Sequence, residues 1–214
     1  MSLFTAAIFD MDGLLLDSER LIMRAWLEAA AESGQTLCAQ QFLDVIGHGV
    51  NESRARLMAL LGGEPAFERV RAAAQARQRA YDARYPVKPG AQALLLALRS
   101  RGIACAVASS TAASEVSRRL ERAELLDYFS AFAGGDEVPT PKPAPDVYLL
   151  ASARLGVPPA QCLAFEDSEV GAQAAHAARM RVVLVPDLRA CAFDAALLQL
   201  KSLEQALAHC EHWF

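Results

Sequence analysis

Two aspartates stand two residues apart directly after the first apolar run of the chain, in the segment 9–13 (FDMDG). Side chains two apart on an extended backbone point to the same side, so Asp10 and Asp12 can converge on one ligand. Such carboxylates can bind a hard divalent cation, and one can act as nucleophile while the other acts as general acid/base. The segment also fits an Asp-Gly hairpin turn. An EF-hand calcium loop is excluded, because Leu15 and Leu21 occupy the positions that need Gly and Glu.

A hydroxyl-rich segment and a proline-flanked lysine are the next two candidates. Residues 109–111 (SST) follow an apolar run and precede a helix that we expect to begin near Ala113. Hydroxyls and backbone N–H groups at a helix N-terminus suit a phosphate, although an ordinary N-cap is the simpler interpretation of this segment alone. Lys142 lies between two prolines that stiffen the backbone. Its ammonium group could neutralise a phosphate and an attacking carboxylate, or it could be one more lysine on an exposed loop.

An acidic pair, Glu166 and Asp167, follows the apolar run 162–165. The pair could complete a metal site with Asp10 and Asp12, or it could cap the helix that follows. Each of the four polar groups has an ordinary explanation by itself. These separate explanations do not account for their common placement. Each group follows a strand or its loop, which is where open α/β sheets bind their ligands.

The elements that would position these groups alternate along the chain. Short apolar runs bounded by turn residues predict strands; they cover Thr5–Phe9, Ile103–Ala108, Ser130–Ala133, Cys162–Phe165 and Arg181–Val185. Helical patterns lie between and after them; they cover Pro89–Arg101, Pro143–Leu155 and Glu169–Arg179. This alternation predicts an α/β fold with a Rossmann-like, parallel, five-stranded sheet flanked by helices.

One stretch interrupts the alternation. Residues 18–84 show no convincing strand and read as the helices 19–32, 51–61 and 65–84. The stretch is far longer than a βαβ crossover needs, since a crossover with its helix takes about a dozen residues or more. We therefore expect a catalytic core formed by residues 1–17 and 85–214, with a small helical domain inserted at 18–84.

Composition narrows the class of protein. The net charge is −4 at pH 7, and no basic stripe is present that could neutralise a nucleic-acid backbone. The five cysteines form no CxxC pair, which favours a reducing cytosol over a disulfide framework. The beginning of the chain does not resemble a signal peptide, and no apolar run reaches the roughly 18 residues of a membrane span. We expect a cytoplasmic protein with a small-molecule partner, no nucleic-acid or membrane partner, and a monomeric or small homo-oligomeric state.

The order of the four groups resembles that of the haloacid dehalogenase superfamily over nearly the whole chain. The matching segments are FDMDGLLLDSE at 9–19, VASS at 107–110, TPKPAPDVY at 140–148 and FEDSEVG at 165–171. Within the family, these segments are most similar to capped sugar-phosphate phosphatases and β-phosphoglucomutase. The helical insert resembles the small cap that closes over the active site in that subgroup.

The resemblance leaves three branches to weigh. Dehalogenases lack an aspartate at the position of Asp12, so dehalogenation is disfavoured. Mutases share the core groups, but they carry a histidine where this chain has Ile22 and a cap arginine where it has Glu52, although Arg54 and Arg56 are nearby. A non-catalytic binding relative would usually have lost a core carboxylate or the lysine. A phosphatase is therefore favoured, with the mutase as the alternative.

The resemblance also implies roles for the core residues. Asp10 is expected to attack phosphorus and form an aspartyl phosphate, while Asp12 protonates the leaving alcohol and then activates the hydrolytic water. Mg²⁺ is expected on the Asp10 side chain, the Asp12 backbone carbonyl and Asp167, with Glu166 in support. This ion and Lys142 together offset the repulsion between carboxylate and phosphate.

Phosphate binding and substrate choice are assigned to further residues. The Ser109 side chain and the backbone amides around Gly13 and Ser110 are expected to hold the phosphoryl oxygens together with Lys142. Mg²⁺ is preferred over Zn²⁺ because every proposed ligand is an oxygen.

Three cap residues, His48, Asn51 and Arg54, are expected to face the substrate and to set specificity. The substrate itself is expected to be a small phosphorylated metabolite, such as a sugar phosphate.

Overall fold

The computed structural model describes residues 3–46, 48–80 and 85–214. The strands are β1 (Ala6–Phe9), β2 (Ala104–Ala108), β3 (Ala131–Ala133), β4 (Cys162–Glu166), β5 (Arg181–Leu184) and β6 (Leu198–Gln199). The helices of the insert are α1 (Glu19–Glu32), α2 (Ala39–Leu43), α3 (Val50–Leu60) and α4 (Glu64–Ala80). The later helices are α5 (Ala91–Ser100), α6 (Ala113–Arg122), α7 (Asp146–Leu155), α8 (Glu169–Ala177), α9 (Leu203–Leu207) and α10 (Cys210–Trp213).

The strands form one parallel sheet in the order β3-β2-β1-β4-β5-β6. The α/β class and the parallel sheet with flanking helices are confirmed, but the expected number of five strands is wrong. The additional strand, β6, is two residues long and pairs through Val183 with Leu198 and through Leu184 with Gln199. Its surroundings are rich in Ala and Leu, which are not typical strand formers, so the pairing leaves no periodic signal in the sequence.

Both faces of the sheet are buried, as a parallel sheet requires. Along β1, Ala7 and Phe9 face a hydrophobic cluster that includes α5 and the C-terminal helices, while Ala6 and Ile8 face a second cluster with α7 and α8. Phe9 stacks on Phe165 of the neighbouring β4 at a centroid distance of 4.7 Å. The central strand is therefore fixed from both sides, and so is the position of the residue that follows it.

The insert has a hydrophobic cluster of its own. Trp26 of α1 lies 6.3 Å from Phe42 and 5.9 Å from Phe67 between ring centroids. The helix α1 packs lengthwise against α4. The described part of the insert, residues 19–46 and 48–80, contains no strand. Gly47 and residues 81–84, which belong to the predicted insert, lie outside the described residues, and the domain boundaries at 18 and 84 remain a prediction.

The two chain segments that connect the core to the insert are hydrogen-bonded to each other. Leu16 forms a single antiparallel bridge with Val87, and the Asp17 amide donates to the Pro86 carbonyl.

In the described residues, no helix is both long and apolar enough to cross a lipid bilayer.

Candidate active site

The candidate site lies at β1, the point in the sheet where the strand order reverses. β1 has β2 on one side and β4 on the other, and Phe9 is in register with both Val107 and Phe165. Chain order proceeds from β1 to β2 and β3 on one side and then continues on the other side with β4. Such a switch point opens a crevice at the carboxyl ends of the strands. Asp10 directly follows β1 and Glu166 ends the adjacent β4, so both lie at that edge.

Lys142 joins the two carboxylates. Its Nζ donates to Asp10 Oδ1 at 2.7 Å, to Glu166 Oε1 at 2.6 Å and to the Ala108 carbonyl at 3.0 Å. The lysine is only 6% exposed. Burial by itself lowers the pKa of Lys142, but the two carboxylates outweigh that effect and the net pKa lies above its usual value. Lys142 is therefore a charged and immobile ammonium group beside Asp10.

Glu166 is completely buried and its oxygens are saturated with donors. Oε1 also accepts from the Tyr148 hydroxyl at 2.6 Å, and Oε2 accepts from the amides of Asp167 and Ser168 at 3.2 and 3.3 Å. A Cβ atom on Gly171 would overlap this carboxylate, so only glycine fits there. The glycine that follows the acidic pair thus makes room for Glu166.

Asp10, Glu166 and Asp167 can each offer a carboxylate oxygen within 4.8 Å of the others. Burial raises the pKa of Asp10 to about 8, and the Glu166 charge adds to this effect while Lys142 opposes it. Burial, reinforced by the Asp10 and Glu166 charges, likewise raises the pKa of Asp167 well above its usual value. Asp10 and Asp167 therefore lack the positive charge that would keep both of them ionised, and the all-oxygen donor set of the cluster fits a hard divalent cation.

Gly13 leaves the space that the Asp167 side chain occupies in this cluster. Its φ of +85° is the left-handed conformation that favours glycine, and a Cβ atom there would overlap the Asp167 carboxylate. The Gly13 amide donates to the Leu16 carbonyl at 2.9 Å. Gly13 therefore contributes space in this structure, and its own N–H is already engaged.

Comparison with known proteins identifies the family. A family model described as haloacid dehalogenase-like hydrolase matches residues 4–179. This chain belongs to that family. Hexitol phosphatase B of Escherichia coli is 36% identical over 85% of this chain and 83% of its own length. A phosphorylated carbohydrates phosphatase of Thermotoga maritima is 33% identical over 81% of each chain.

This chain also resembles a solved structure, that of a candidate β-phosphoglucomutase from Thermotoga maritima. The superposition covers 100% of each chain, with 28% sequence identity and a TM-score of 0.78. The family match and the phosphatase relatives show that this member of the haloacid dehalogenase-like hydrolases is a phosphoric monoester hydrolase.

In this family member, the predicted phosphate-binding hydroxyls border the same cavity as the carboxylates. Ser109 and Ser110 line a space of about 140 Å³ together with Asp10, Asp12 and Lys142. The Ser109 hydroxyl oxygen also accepts a hydrogen bond from the Thr111 amide at 3.0 Å, a local turn contact ahead of α6. The N-cap of α6 is Ala112, so the interpretation of the hydroxyl segment as a simple N-cap is wrong.

The three predicted specificity residues lie in different places. His48 lines the active-site cavity, and Asn51 lines an adjoining cavity of about 540 Å³ that also reaches Lys142. Arg54 lines neither cavity. It pairs with Glu64 at 3.0 Å and with Glu68 at 2.8 Å, which hold it on the surface of the helical insert. The structure therefore brings His48 and Asn51, but not Arg54, to these two cavities.

Two charged residues at the site, Glu19 and Arg119, are not among the predicted site residues. Glu19, the first residue of α1, lines the active-site cavity; burial, reinforced by the charges of Asp187 and Asp12, raises its pKa to about 7. Arg119 of α6 reaches Asp12 with its Nη1 at 2.7 Å. The short spacing between Glu19 and the motif residues could have indicated the first, whereas nothing distinguishes Arg119 from the adjacent Arg118.

Proposed function

We propose that this hydrolase releases phosphate from a small phosphorylated metabolite of the sugar-phosphate class, through a phosphoryl group carried on Asp10. The observation that carries the proposal is the buried Lys142, which holds the Asp10 carboxylate at the mouth of a crevice lined by Ser109 and Ser110. A fixed positive charge beside a fixed carboxylate is what attack on an anionic phosphate requires.

Asp10 is suited to the nucleophile's role by its position. It follows the central strand, and its Oδ1 is oriented by the Lys142 ammonium group. In the first step, an Asp10 oxygen forms a bond to phosphorus while the bond from phosphorus to the leaving oxygen breaks. Lys142 offsets the charge that accumulates on the phosphoryl oxygens, and the Ser109 hydroxyl borders the space that those oxygens would occupy.

Asp12 is suited to proton transfer. It lines the same cavity but lies outside the cluster of Asp10, Glu166 and Asp167. It gives a proton to the departing alcohol oxygen, and it then accepts one from the water that attacks the phosphorus of the phosphorylated Asp10. The bond from phosphorus to the Asp10 oxygen then breaks, the oxygen of that water leaves in inorganic phosphate, and Asp10 and Asp12 return to their starting states.

The residues that would hold Mg²⁺ are the side chains of Asp10 and Asp167 and the backbone carbonyl of Asp12. Glu166 would support the site, since its oxygens already bind Lys142 and Tyr148. A bound ion would supply positive charge for the phosphoryl oxygens and for the crowded carboxylates.

The substrate class rests on the relatives, because fold alone does not define a substrate. Two relatives are named as phosphatases of hexitols and of phosphorylated carbohydrates. The mutase alternative is weaker, since Ile22 packs against the hydrophobic cluster of the insert, where mutases carry a histidine.

The test is a panel of phosphate monoesters with Mg²⁺: hexose 6-phosphates, pentose phosphates, nucleotides and β-glucose 1-phosphate. We expect phosphate release from one or more sugar phosphates, and no release by Asp10→Asn prepared in parallel. Conversion of glucose 1-phosphate to glucose 6-phosphate without phosphate release would instead establish the mutase. Release of phosphate from nucleotides alone would refute the proposed substrate class.

A further inference from the structure

The carboxylate of Asp12 is held by three donors from three separate segments. Oδ1 accepts from the Ser18 hydroxyl at 2.6 Å and from Arg119 Nη1 at 2.7 Å, and Oδ2 accepts from the Thr111 hydroxyl at 2.8 Å. Ser18 precedes α1, Thr111 follows β2, and Arg119 lies in α6. Two of the donors are neutral hydroxyls, and the third is a charged guanidinium group.

Arg119 occupies an unusual place for a residue of an amphipathic helix. Its side chain is only 11% exposed, and its guanidinium carbon lies 5.0 Å from the centroid of the Tyr85 ring. Among the described residues, its buried Nε has no hydrogen-bond partner, and Glu115 Oε2 lies 3.9 Å from it. The adjacent Arg118 is more exposed and pairs with the same Glu115 at 2.6 Å.

This burial has a cost that one contact offsets. A guanidinium group removed from water destabilises the fold unless it is paired and hydrogen-bonded. Within the described residues, Arg119 pairs most closely with the Asp12 carboxylate, at 2.7 Å, while the Glu115 carboxylate lies 3.9 Å away. Because the Tyr85 ring fixes the guanidinium from one face, Arg119 is a rigid donor. The buried position of Arg119 is therefore explained by its pairing with Asp12, and not by contacts along the surface of α6.

We propose that Arg119 is a positioning residue for proton transfer by Asp12. This inference rests on the proposed function, in which Asp12 is the acid/base. An aspartate has two side-chain torsions, and proton transfer requires its oxygen within about 2.6–3.2 Å of the reacting oxygen. By fixing Oδ1, Arg119 and Ser18 select one orientation of the carboxylate toward the cavity that it lines. Arg119 donates a hydrogen bond throughout and transfers no proton itself.

The role predicts a dependence on the leaving group. An alkoxide leaving group needs the proton from Asp12 as the phosphorus–oxygen bond breaks, whereas p-nitrophenolate needs little protonation. If Arg119 orients Asp12, its loss should therefore slow the phosphorylation step more for an alkyl phosphate than for p-nitrophenyl phosphate. A purely structural role would affect both esters equally.

The test compares kcat/KM for the best alkyl phosphate of the panel with kcat/KM for p-nitrophenyl phosphate. Arg119→Met keeps an unbranched apolar side chain at this position and removes the guanidinium group. We expect kcat/KM to fall about 10- to 100-fold more for the alkyl phosphate, which is a part of the roughly 100- to 10,000-fold that general acid–base catalysis contributes. Arg119→Lys, which retains the charge, should recover part of this difference.

Arg99→Met is the matched control. Arg99 also stacks on a tyrosine, with its guanidinium carbon 5.6 Å from the Tyr128 centroid, but it is exposed and contacts no residue of the site. This variant should leave the ratio of kcat/KM between the two esters unchanged.

Equal losses for both esters in Arg119→Met and Arg119→Lys, or no loss in either, would overturn the assignment. If Arg119→Met does not fold, Arg119→Lys and Thr111→Val measured alone must still show the larger loss for the alkyl phosphate. Wild-type protein without phosphatase activity would instead refute the proposed function, on which this role depends.

Discussion

The hydroxyl of Tyr148 offers a sharp test of how the site is held together. It donates to Glu166 Oε1 at 2.6 Å from a completely buried position, and the Tyr148 ring lies 4.9 Å from the Lys142 ammonium nitrogen. Tyr148→Phe removes the hydrogen bond and leaves the ring in place. Glu166 keeps Lys142 as a donor, so no isolated charge results. Since hydrogen bonds to charged groups contribute about 1.5–3 kcal/mol, we expect the free energy of unfolding to fall by that amount.

Urea denaturation followed by circular dichroism measures this difference. For a chain of this size, the same loss corresponds to a Tm lower by about 3–12 °C. Tyr128→Phe is the control, because it removes a tyrosine hydroxyl that makes no hydrogen bond to any described residue; its stability should change by less than about 0.5 kcal/mol. Turnover of Tyr148→Phe should fall less than that of Lys142→Met, which removes the charge itself. Equal stability of wild type, Tyr148→Phe and Tyr128→Phe would refute the reasoning that Glu166 depends on its buried donors.

Two further predictions concern the charge of the site and the choice of substrate. The folded-state pKa of Asp10 is raised to about 8, above its ordinary value of 3.8, so the metal-free folded protein binds more protons than the unfolded chain between these values. In EDTA, stability should therefore decrease as pH rises from about 5 to about 8. Added Mg²⁺ should raise Tm more at pH 8 than at pH 5, and an equal shift at both pH values would contradict this account. His48→Ala should change the ratio of kcat/KM between two sugar phosphates, because His48 lines the active-site cavity. Arg54→Ala should leave that ratio unchanged and cost at most about 1 kcal/mol of stability, because its ion pairs are exposed; a change in ratio with Arg54→Ala alone would reverse the assignment.

Much of the fold could be predicted because central parallel strands are buried on both faces and therefore read as short apolar runs. Ala104–Ala108 and Cys162–Glu166 are such runs, and each ends at a polar group of the site. The strand Leu198–Gln199 could not be predicted. It pairs through its backbone at the edge of the sheet, and its side chains show no strand pattern.

The site could be predicted where local sequence constrains the chemistry. Asp10 and Asp12 share one short motif, and the prolines around Lys142 indicate a fixed loop. Contacts between distant segments could not be predicted in this way. Arg119 is 107 positions from Asp12 along the chain, and Tyr148 differs in no local pattern from a core tyrosine. Arg54 is likewise a predicted specificity residue, but it pairs with Glu64 and Glu68 on the surface of the insert, which its local sequence does not indicate.

The central claim is that Asp10 carries the phosphoryl group during turnover. The direct measurement is acid quenching of the enzyme during hydrolysis of a ³²P-labelled sugar phosphate, followed by mass spectrometry of the labelled peptide. We predict a hydroxylamine-sensitive phosphoryl group on the peptide that contains Asp10. We also predict that Asp10→Asn remains folded but shows neither label nor turnover, because an amide cannot replace the attacking carboxylate oxygen. Near-normal turnover by purified Asp10→Asn, with host phosphatases excluded by a mock purification, would contradict the account.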